Sequence, residues 1–448
     1  MKLENMPTRG GLTRAVIVLV FLFACSSAEE PASQTASALT LPAAVQMALE
    51  NNFSIAASEW NARASEAQYL GARRQRLPSL RARISAQENL DDQRLIPATR
   101  PNDPGIYSAG ILAGDLILTQ PIYTGGRINA EIAAAAFTNE SARCRLERQR
   151  SEVIYDVSAT FHRILAAEMN VKALTFSQRV LGEHKARTKF FIEQNKAAPV
   201  DTLRIAVRIA DVEQQLVREQ NTVAIQKRVL ANLLGISDAT LALSGDLFAA
   251  NLDTTPSDME TLVKAAYERR GDYLAAQKDA QAQAQRLEMA RSARFPAVAL
   301  QGAWSGRTAA TGANRGKWAD MGNVLLVAEM PVFDGGRISS RIAEESARRA
   351  AIQAQLEGFR QRIRQEVESA FLDRQSAIER VRAVATAVRY AEETLSIERD
   401  KYQLGRGTVT DVLDAQEALL NAQANQSRAL ADYHVAAARL TLAAGNAE

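Results

Sequence analysis

The chain has 448 residues, is 47% hydrophobic but only 6% aromatic, and carries a net charge of +3 at pH 7. Much of the apolar content is alanine, the strongest helix former, so the composition favours long packed helices over a broad globular core. Basic residues are scattered among acidic ones and do not cluster with aromatic residues, which argues against a nucleic-acid partner.

The first residues are typical of an export signal. Three basic residues precede an apolar run at Ala15–Ala24, which is too short to span a bilayer as a helix. Two cleavage sites remain open: removal of 1–24 would make Cys25 a lipidated N-terminus, whereas removal of 1–28 would be ordinary signal cleavage. Either predicts export from the cytoplasm, and Cys144 then has no disulfide partner in the chain.

Two short motifs each occur twice. PIYTGGRI begins at Pro121 and PVFDGGRI at Pro331, an offset of 210 (331 − 121). Further upstream, ALENNFSIAA begins at Ala48 and AYERRGDYLAA at Ala266, an offset of 218 (266 − 48). The order of the two motifs is the same both times, which predicts two copies of one structural unit.

The two units are placed at 39–235 and 257–445, and each is predicted to run helix, two strands, long helical hairpin. The first helices are expected at about 40–76 and 257–294, each ending before a proline. The offset falls by 8 between the motifs, so the first unit contains an insert, expected in a loop at 91–105.

Four segments show strand patterns. Leu80–Gln87 and Val298–Trp304 alternate between two sets of side chains, one of them apolar, which predicts strands with one apolar face. The return strands are expected at Ile111–Ile122 and Asn323–Phe333. Each segment is close to the 9–11 residues of a tilted membrane strand, and a soluble four-stranded sheet is the alternative.

The remaining sequence has a helical period. From Leu203 onward, apolar residues recur mostly at spacings of three, four or seven, which predicts a coiled-coil-like stripe. No proline occurs between Arg127 and Asn195, so one helix about 100 Å long is expected there. Such a rod must pack along similar rods, from its own repeat or from other subunits.

Five motifs together carry a family resemblance: LTLPAAVQMALENN, RLPSL, LTQPIYTGGRI, AEMPVFDGGRI and YQLGRGTVTDVLDAQEALLNAQ. With these the chain resembles the TolC-like outer-membrane efflux protein family over essentially its whole mature length. The resemblance implies a mainly α fold with a small β part. A long coiled-coil tunnel in the periplasm would join a four-strand contribution to a trimeric, twelve-stranded outer-membrane β-barrel.

The resemblance also implies partners and a location. It predicts a homotrimer in the outer-membrane lipid of a Gram-negative bacterium. A periplasmic adaptor and an inner-membrane pump of the RND or ABC type would load it. The repeated Gly-Gly motif would mark the two places where a strand leaves the membrane and a tunnel helix begins. Its predicted junction residues are Pro121, Gly125, Gly126, Arg127, Pro331, Gly335, Gly336 and Arg337.

The far end of the second helical hairpin holds the candidate gate. Asp411 and Asp414 are three residues apart and share a helix face, so a trimer would bring them into two carboxylate rings. By the resemblance, these aspartates line the periplasmic entrance and Tyr402 helps to hold it shut. The alternative is that both aspartates only cap or flank a helix start. The family's arginine near the tip is replaced by Gly407, and Arg406 beside it is the candidate substitute.

Both hairpin tips are expected to contact the adaptor. The tip candidates are Gly405, Gly407, Thr408, Ala198, Pro199 and Asp201. No enzyme active site, cofactor site or metal site is expected, and the three histidines are interpreted as scattered helix-surface residues. The predicted function is a passive exit duct of a tripartite efflux system. Alternatives are the outer-membrane component of type I protein secretion and a soluble periplasmic coiled-coil scaffold.

Overall fold

The computed structural model describes residues 38–98, 100–194, 198–237, 240–249 and 258–445. Cys25 and both candidate cleavage sites lie outside the described residues. Besides a short 3-10 helix at Leu247–Ala249, the described residues form twelve α-helices and strands, in the order helix, helix, strand, strand, long helix, helix, and then in the same order again. The first six are α1 (Leu41–Asn51), α2 (Phe53–Arg74), β1 (Ser79–Arg94), β2 (Tyr107–Tyr123), α3 (Arg127–Glu193) and α4 (Pro199–Leu233). The second six are α5 (Met259–Arg269), α6 (Gly271–Ser292), β3 (Ala297–Ala309), β4 (Trp318–Glu329), α7 (Arg337–Gln403) and α8 (Val409–Ala444).

The four strands form one antiparallel sheet in the order β1-β2-β3-β4. Paired residues lie on the same face, so the register assigns each side chain to one of two faces. One face carries large exposed apolar side chains: Leu80, Ile84, Leu112, Leu116, Leu118, Leu300, Trp304, Val324 and Leu326. The other face carries polar ones, where Arg83 pairs with Asp115 and Asp115 with Ser305. The sheet is therefore amphipathic over β1, β2 and β3, whereas β4 also carries exposed apolar side chains on the second face, Leu325 and Val327.

The strands are longer than predicted, with 16, 17, 13 and 12 residues. β1 continues to Arg94, so the first four residues of the loop expected at 91–105 are strand. β2 continues past Pro121 to Tyr123 through an irregularity in its pairing with β3. β4 ends at Glu329, short of the predicted Phe333. Pro331 has no N–H to donate to a ladder, which accounts for the early end.

Each helix predicted to precede the first strand of its unit is in fact two helices. The breaks fall at Asn52 and Arg270, both in extended conformation, with ψ of 126° and 118°. Asn52 caps α2 through its side chain, which accepts hydrogen bonds from the backbone N–H groups of Ser54 and Ile55. Asparagine is a common N-cap, because its side-chain oxygen can accept hydrogen bonds from the first backbone N–H groups of a helix. Asn52 therefore starts α2, and α1 ends at the preceding residue, Asn51.

The two breaks are anchored in equivalent ways. Asn52 Nδ2 donates to the carbonyl of Leu233, 2.8 Å away at the end of α4. Arg270 Nη1 donates to the carbonyl of Ala443, 3.5 Å away near the end of α8. The break residues differ by 218 and the acceptors by 210, which are the offsets of the two repeated motifs. The same backbone contact is thus made twice with different side chains.

α3 and α7 have 67 residues each, or about 100 Å at 1.5 Å per residue. The prediction of one long helix after Arg127 is confirmed. Apolar side chains are buried in separate clusters along these rods. The largest cluster joins α1, α2, α3, α4, α7 and α8 and contains Phe161 and Ile164. None of the helices in the described part of the chain combines the length and the hydropathy of a membrane-spanning helix.

Candidate functional site

The strand-to-helix junctions have the same backbone in both units. Gly125 and Gly126 have φ of 61° and 89°, and Gly335 and Gly336 have φ of 64° and 86°. These left-handed angles are open to glycine and strained for other residues, which accounts for the repeated Gly-Gly pair. α3 and α7 start at the next residue, so the glycines set the direction in which each long helix leaves the sheet.

The residue before each Gly-Gly pair also contributes to the junction. Asp334 accepts hydrogen bonds from the backbone N–H groups of Gly336 and Ile338, at 2.9 and 2.7 Å. These bonds lower the pKa of the Asp334 carboxyl. Thr124 makes the weaker equivalent contact, a 3.4 Å bond from the N–H of Ile128. The sequence prediction missed both residues, although an oxygen-bearing side chain within a few residues of a helix start is a usual sign of capping.

The predicted prolines and arginines of the junctions lie in different surroundings. Pro121 lies inside β2, paired with Ala299, and the strand continues past it to Tyr123. Pro331 follows the end of β4. Arg127 forms a half-exposed ion pair with Glu131 at 3.2 Å. Arg337 is exposed at the first position of α7.

The tip between α7 and α8 turns at Gly405, which has φ of 71°. Thr408 and Asp411 form a capping box at the start of α8. Asp411 Oδ2 accepts from the Thr408 N–H at 2.9 Å and from its hydroxyl at 2.7 Å, and Thr408 Oγ1 accepts from the Asp411 N–H at 3.2 Å. These bonds, the hydroxyl first, lower the pKa of the Asp411 carboxyl. Asp411 is therefore a helix cap in the single chain, which is the alternative that the sequence left open.

Asp414 lies one turn further along α8, exposed like Asp411 and on the same side of the helix. The two carboxylates are thus presented together next to the tip. Gly407 and Thr408 lie between Gly405 and α8, so three of the predicted tip residues belong to one short turn. Arg406 is exposed, and its backbone N–H donates to the carbonyl of Lys401 at 2.8 Å.

Two arginines of α4, which the sequence prediction missed, connect the tips. Arg204 Nη1 donates to Thr410 Oγ1 at 3.0 Å. One turn later, Arg208 forms a 3.0 Å ion pair with Glu417 of α8. The i,i+4 spacing puts both arginines on one face of α4. This spacing is visible in the sequence and could have indicated that the two residues act together. The polar side-chain contacts between α4 and α8 near the tips are made by these arginines, beside an apolar cluster that contains Ile205, Val409 and Leu413. Arg406 of the tip itself is exposed.

In the first hairpin, the helix that follows the tip, α4, starts without a side-chain cap. Pro199 is the first residue of α4 and Ala198 its N-cap, which has no side chain able to accept a hydrogen bond. Asp201 lies in the first turn, where a carboxylate interacts favourably with the helix dipole. α8 starts with the side-chain cap of Thr408, whereas α4 starts with a proline, whose fixed φ suits the first helical position and which has no N–H to be satisfied.

The histidines are not scattered, contrary to the sequence interpretation. His162 of α3 and His434 of α8 stack with ring centroids 4.2 Å apart and planes 11° from parallel. His162 Nδ1 lies 2.7 Å from the Ser158 carbonyl, and His434 Nε2 lies 3.4 Å from the Leu247 carbonyl. Burial, followed by repulsion from His434, lowers the pKa of His162 to about 4. Burial also lowers the pKa of His434.

Tyr402 near the end of α7 packs against the third histidine, His184 of α3, with ring centroids 5.4 Å apart. Burial and then the neighbouring Arg187 and Arg399 lower the pKa of His184, so the ring is neutral at neutral pH. The Tyr402 hydroxyl has no hydrogen-bond partner among the described residues. The described part of the chain also holds no group of three histidine, cysteine or acidic side chains placed to bind a metal ion.

The family described as "Outer membrane efflux protein" matches residues 44–236 and 262–446. Among curated proteins, the outer membrane protein OprJ of Pseudomonas aeruginosa is 23% identical over 378 residues, covering 83% of this chain and 77% of OprJ. The cobalt-zinc-cadmium resistance protein CzcC of Cupriavidus metallidurans is 24% identical over 396 residues, covering 87% of this chain and 86% of CzcC.

The fold is also that of solved outer membrane proteins. VceC from Vibrio cholerae superposes with a TM-score of 0.74 at 20% identity, covering 91% of this chain and 96% of VceC. The family match covers both copies of the repeated element order, including the sheet, the two Gly-Gly junctions and both hairpin tips. This chain belongs to the outer membrane efflux protein family.

Proposed function

We propose that the chain is one subunit of a homotrimeric exit duct in the outer membrane, through which solutes delivered from the periplasm leave the cell. The observation that carries the proposal is the open amphipathic sheet, joined by two equivalent junctions to two helices of 67 residues. Membership of the family indicates the location in the outer membrane and the role in efflux. The sheet supplies a physical reason for the trimer.

β1 and β4 form the edges of the sheet, and neither has a strand partner on its outer side within the described residues. Unpaired N–H and C=O groups in lipid cost several kcal/mol each, so an open sheet cannot remain in a membrane alone. Three copies would pair each β4 with the β1 of a neighbour and close a ring of twelve strands. The exposed apolar face would then meet lipid, and the polar face with Arg83 and Asp115 would line the lumen.

The helices would continue the duct into the periplasm. The repeats at 39–235 and 257–445 would act as two equivalent halves, each feeding one long helix from the sheet. At the far end, Asp411 and Asp414 would face their copies around the axis, and the α4–α8 contacts of Arg204 and Arg208 would hold the tips together. Ala198, Pro199 and Gly405 to Thr408 would meet a periplasmic adaptor that connects to an inner-membrane pump. The channel itself would be passive.

A scaffold without a pore is the rival of another class. It would have to leave the apolar face of the sheet in water, where Ile84 is 82% and Val324 74% exposed. Contiguous apolar patches of this kind mark membrane or protein contacts. The face therefore favours the membrane duct over the scaffold.

Disulfide trapping across the sheet edges tests the proposal. In a Cys144→Ser background, Val324→Cys of β4 would be combined in turn with Leu80→Cys, Ala82→Cys or Ile84→Cys of β1, all on the apolar face. The expected result is a covalent trimer on a denaturing gel for at least one pair. The matched control is Val324→Cys with Leu118→Cys, because β2 lies inside the sheet and cannot reach another copy. Monomers from every edge pair, together with no conductance in a planar bilayer, would reject the duct.

A further inference from the structure

The chain continues past the end of β1 as a segment that lies over the polar face of the sheet. Leu95, the first residue after β1, is completely buried, with 0% of its surface exposed. The apolar cluster that buries it also contains Ile111, Ala309 and Ala319. Side chains alternate between faces along a strand, so Ile111 shares a face with Asp115, and Ala309 pairs with Ile111. Leu95 therefore covers the polar face and not the apolar one.

Arg307 of β3 fixes Leu95 in this position. The arginine lies on the same polar face, two residues before Ala309 in its strand, and its Nη1 donates to the Leu95 carbonyl at 3.0 Å. Its Nε is buried and has no hydrogen-bond partner among the described residues. Water would reach this atom on an open polar face, so the covering segment shields the guanidinium from solvent as well as binding to it.

β1 changes direction just before this segment. Glu88 pairs with Gly110 and Gln93 pairs with Ser108, so four residues of β1 stand opposite one residue of β2. An excess of residues on one strand of an antiparallel pair bends that strand. The bulge therefore accounts for the departure of the hairpin end from the plane of the sheet.

The hairpin end is ordered by its own contacts. The Leu95 N–H donates to the Ile106 carbonyl at 2.8 Å, and Arg94 forms a 2.9 Å ion pair with Asp103. These bonds connect the two sides of the hairpin end, so a contact that holds Leu95 also holds its neighbours. We call residues 94–98 and 103–106 together the Leu95 strap.

The second unit of the repeat has a shorter connection at the same place. Ala309 at the end of β3 donates its N–H to the carbonyl of Lys317, directly before β4, at 2.9 Å. Twelve residues separate β1 from β2 (107 − 94 − 1), against eight between β3 and β4 (318 − 309 − 1). The extra residues of the first unit thus lie in the bulge and the strap.

The strap lies at the end of the sheet opposite to the helices, because α2, α3, α6 and α7 all connect to the other end. Three copies closed into a ring of twelve strands would place three straps over the inner face, at the outer mouth of the duct. Closed barrels of about eight strands are filled by their own side chains, whereas those of about 16–18 strands enclose an aqueous channel. A lumen of twelve strands lies between these sizes, so three straps would reduce its opening substantially.

We propose that the three Leu95 straps form a constriction at the outer end of the duct, which sets the size of the largest solute that can leave. Arg307 acts as a positioning residue, since it holds each strap over the lumen through the Leu95 carbonyl. The inference rests on the proposed function, because the polar face of the sheet is a lumen only in the closed ring.

Labelling of a thiol inside the lumen tests the proposal in intact Gram-negative host cells. In a Cys144→Ser background, Ala303→Cys places a thiol on the inner face, between the strap and the helices. Maleimide-linked polymers of increasing size are added outside, and the largest that labels the thiol is recorded. Arg307→Gln removes the bond to Leu95, and Leu95→Asp places a carboxylate in the apolar cluster. Both should admit larger polymers than the parent.

Arg81→Gln is the matched control, because Arg81 is an exposed arginine on the same inner face, closer to the helices than the strap. It removes the same charge from the lumen and should leave the size limit unchanged. The same limit in the parent, Arg307→Gln and Leu95→Asp would overturn the proposal, and so would a thiol that no polymer reaches in any variant. Disulfide trapping reports the trimer whatever this limit is. Trimers with an unchanged limit would therefore remove the constriction and leave the duct.

The reactivity of the strap itself gives a second measurement that does not depend on passage through the duct. Leu95→Cys should react slowly with a small maleimide, because the side chain at this position is buried. Adding Arg307→Gln should speed this reaction about tenfold, the effect of losing one hydrogen bond from a charged donor. Leu90→Cys is the control, since Leu90 in the bulge is 104% exposed and should react equally fast with and without Arg307→Gln. An unchanged rate for Leu95→Cys would show that Arg307 does not position the strap.

Discussion

Arg270 and Glu366 form a 2.7 Å ion pair although the arginine side chain is only 2% exposed. Arg270 also pairs with Asp272 at 2.7 Å. Asp272 is in turn 3.7 Å from Arg148 of α3. The arginine that breaks α5 from α6 thus joins α6, α7 and α8, with a contact to α3 through Asp272. The hydrogen bonds and charge of Arg270 lower the pKa of Asp272 against the opposing effect of burial.

Removing Arg270 should be destabilising, because a buried side chain that hydrogen-bonds to several helices is lost and Asp272, which is 25% exposed, keeps only its 3.7 Å contact with Arg148 as an ion pair. Arg270→Ala should lower the free energy of unfolding by about 2–3 kcal/mol. The measurement is the guanidinium midpoint of the detergent-solubilised protein, followed by circular dichroism. Arg439→Gln is the control, since its 2.9 Å pair with Asp373 is half exposed and surface pairs contribute about 0–1 kcal/mol. Equal midpoints for the two variants would show that Arg270 is not an anchor.

The stacked pair His162 and His434 should make stability depend on acid. The pKa of His162 is about 4 in the folded chain against about 6.5 when unfolded, so the unfolded state takes up a proton first as pH falls. Stability should therefore decrease between pH 6.5 and pH 4, by about 3 kcal/mol from this residue. The checking experiment is unfolding at several pH values. His162→Phe should flatten the dependence in this window, and an unchanged slope would count against it.

The junction glycines should be sensitive to a single methyl group. At φ of 89° and 86°, Gly126→Ala and Gly336→Ala would each force an L-residue into the left-handed region, at a cost of about 1–2 kcal/mol. A Cβ at Gly126 would meet no atom within 4 Å, so backbone strain is the only penalty there. Gly358→Ala is the matched control, because Gly358 is inside α7 with open space around it and should be stabilised by about 0.5–1 kcal/mol. Thermal unfolding of the three variants tests this: the melting temperature should fall for Gly126→Ala and Gly336→Ala and rise for Gly358→Ala.

Release of the α4–α8 contacts should open the periplasmic end of the proposed duct. The double variant Arg204→Gln and Arg208→Gln loses the bond to Thr410 and the ion pair with Glu417. We expect a conductance in planar bilayers at least twofold above the parent protein. Arg218→Gln, an exposed arginine further along α4, should leave the conductance unchanged. No difference between the double variant and Arg218→Gln would mean that these contacts do not hold a gate.

The two candidate gate carboxylates should differ in their effect on ion selectivity. Asp411 is engaged by Thr408, whereas no side-chain hydrogen bond or ion pair is found for Asp414 in the described part of the chain. Asp414→Asn should therefore reduce cation over anion selectivity, read as a shift of the reversal potential in a salt gradient. Asp411→Asn should shift it less and should also weaken the start of α8. A larger shift for Asp411→Asn would reverse this assignment.

Several features of this protein could be predicted from the sequence because they depend on neighbours along the chain. The periods of 2 and about 3.6 residues separate strands from helices at Leu80–Gln87 and after Arg127. The repeated Gly-Gly pair indicates left-handed backbone, which Gly126 and Gly336 have. The repeated element order follows from the two motif offsets. Each of these features can be recognised from a few neighbouring residues or from the comparison of two short segments, so no knowledge of distant contacts is needed.

What only the tertiary structure decided depends on residues that are far apart in sequence. The break at Asn52 is anchored by the carbonyl of Leu233, and the break at Arg270 by the carbonyl of Ala443 and the carboxylate of Glu366. His162 stacks on His434, 272 positions later (434 − 162). Local periodicity reports which face of a helix is buried, but not which other helix covers it. These pairings arise when rods of 67 residues align side by side, because one alignment then determines every contact along their length.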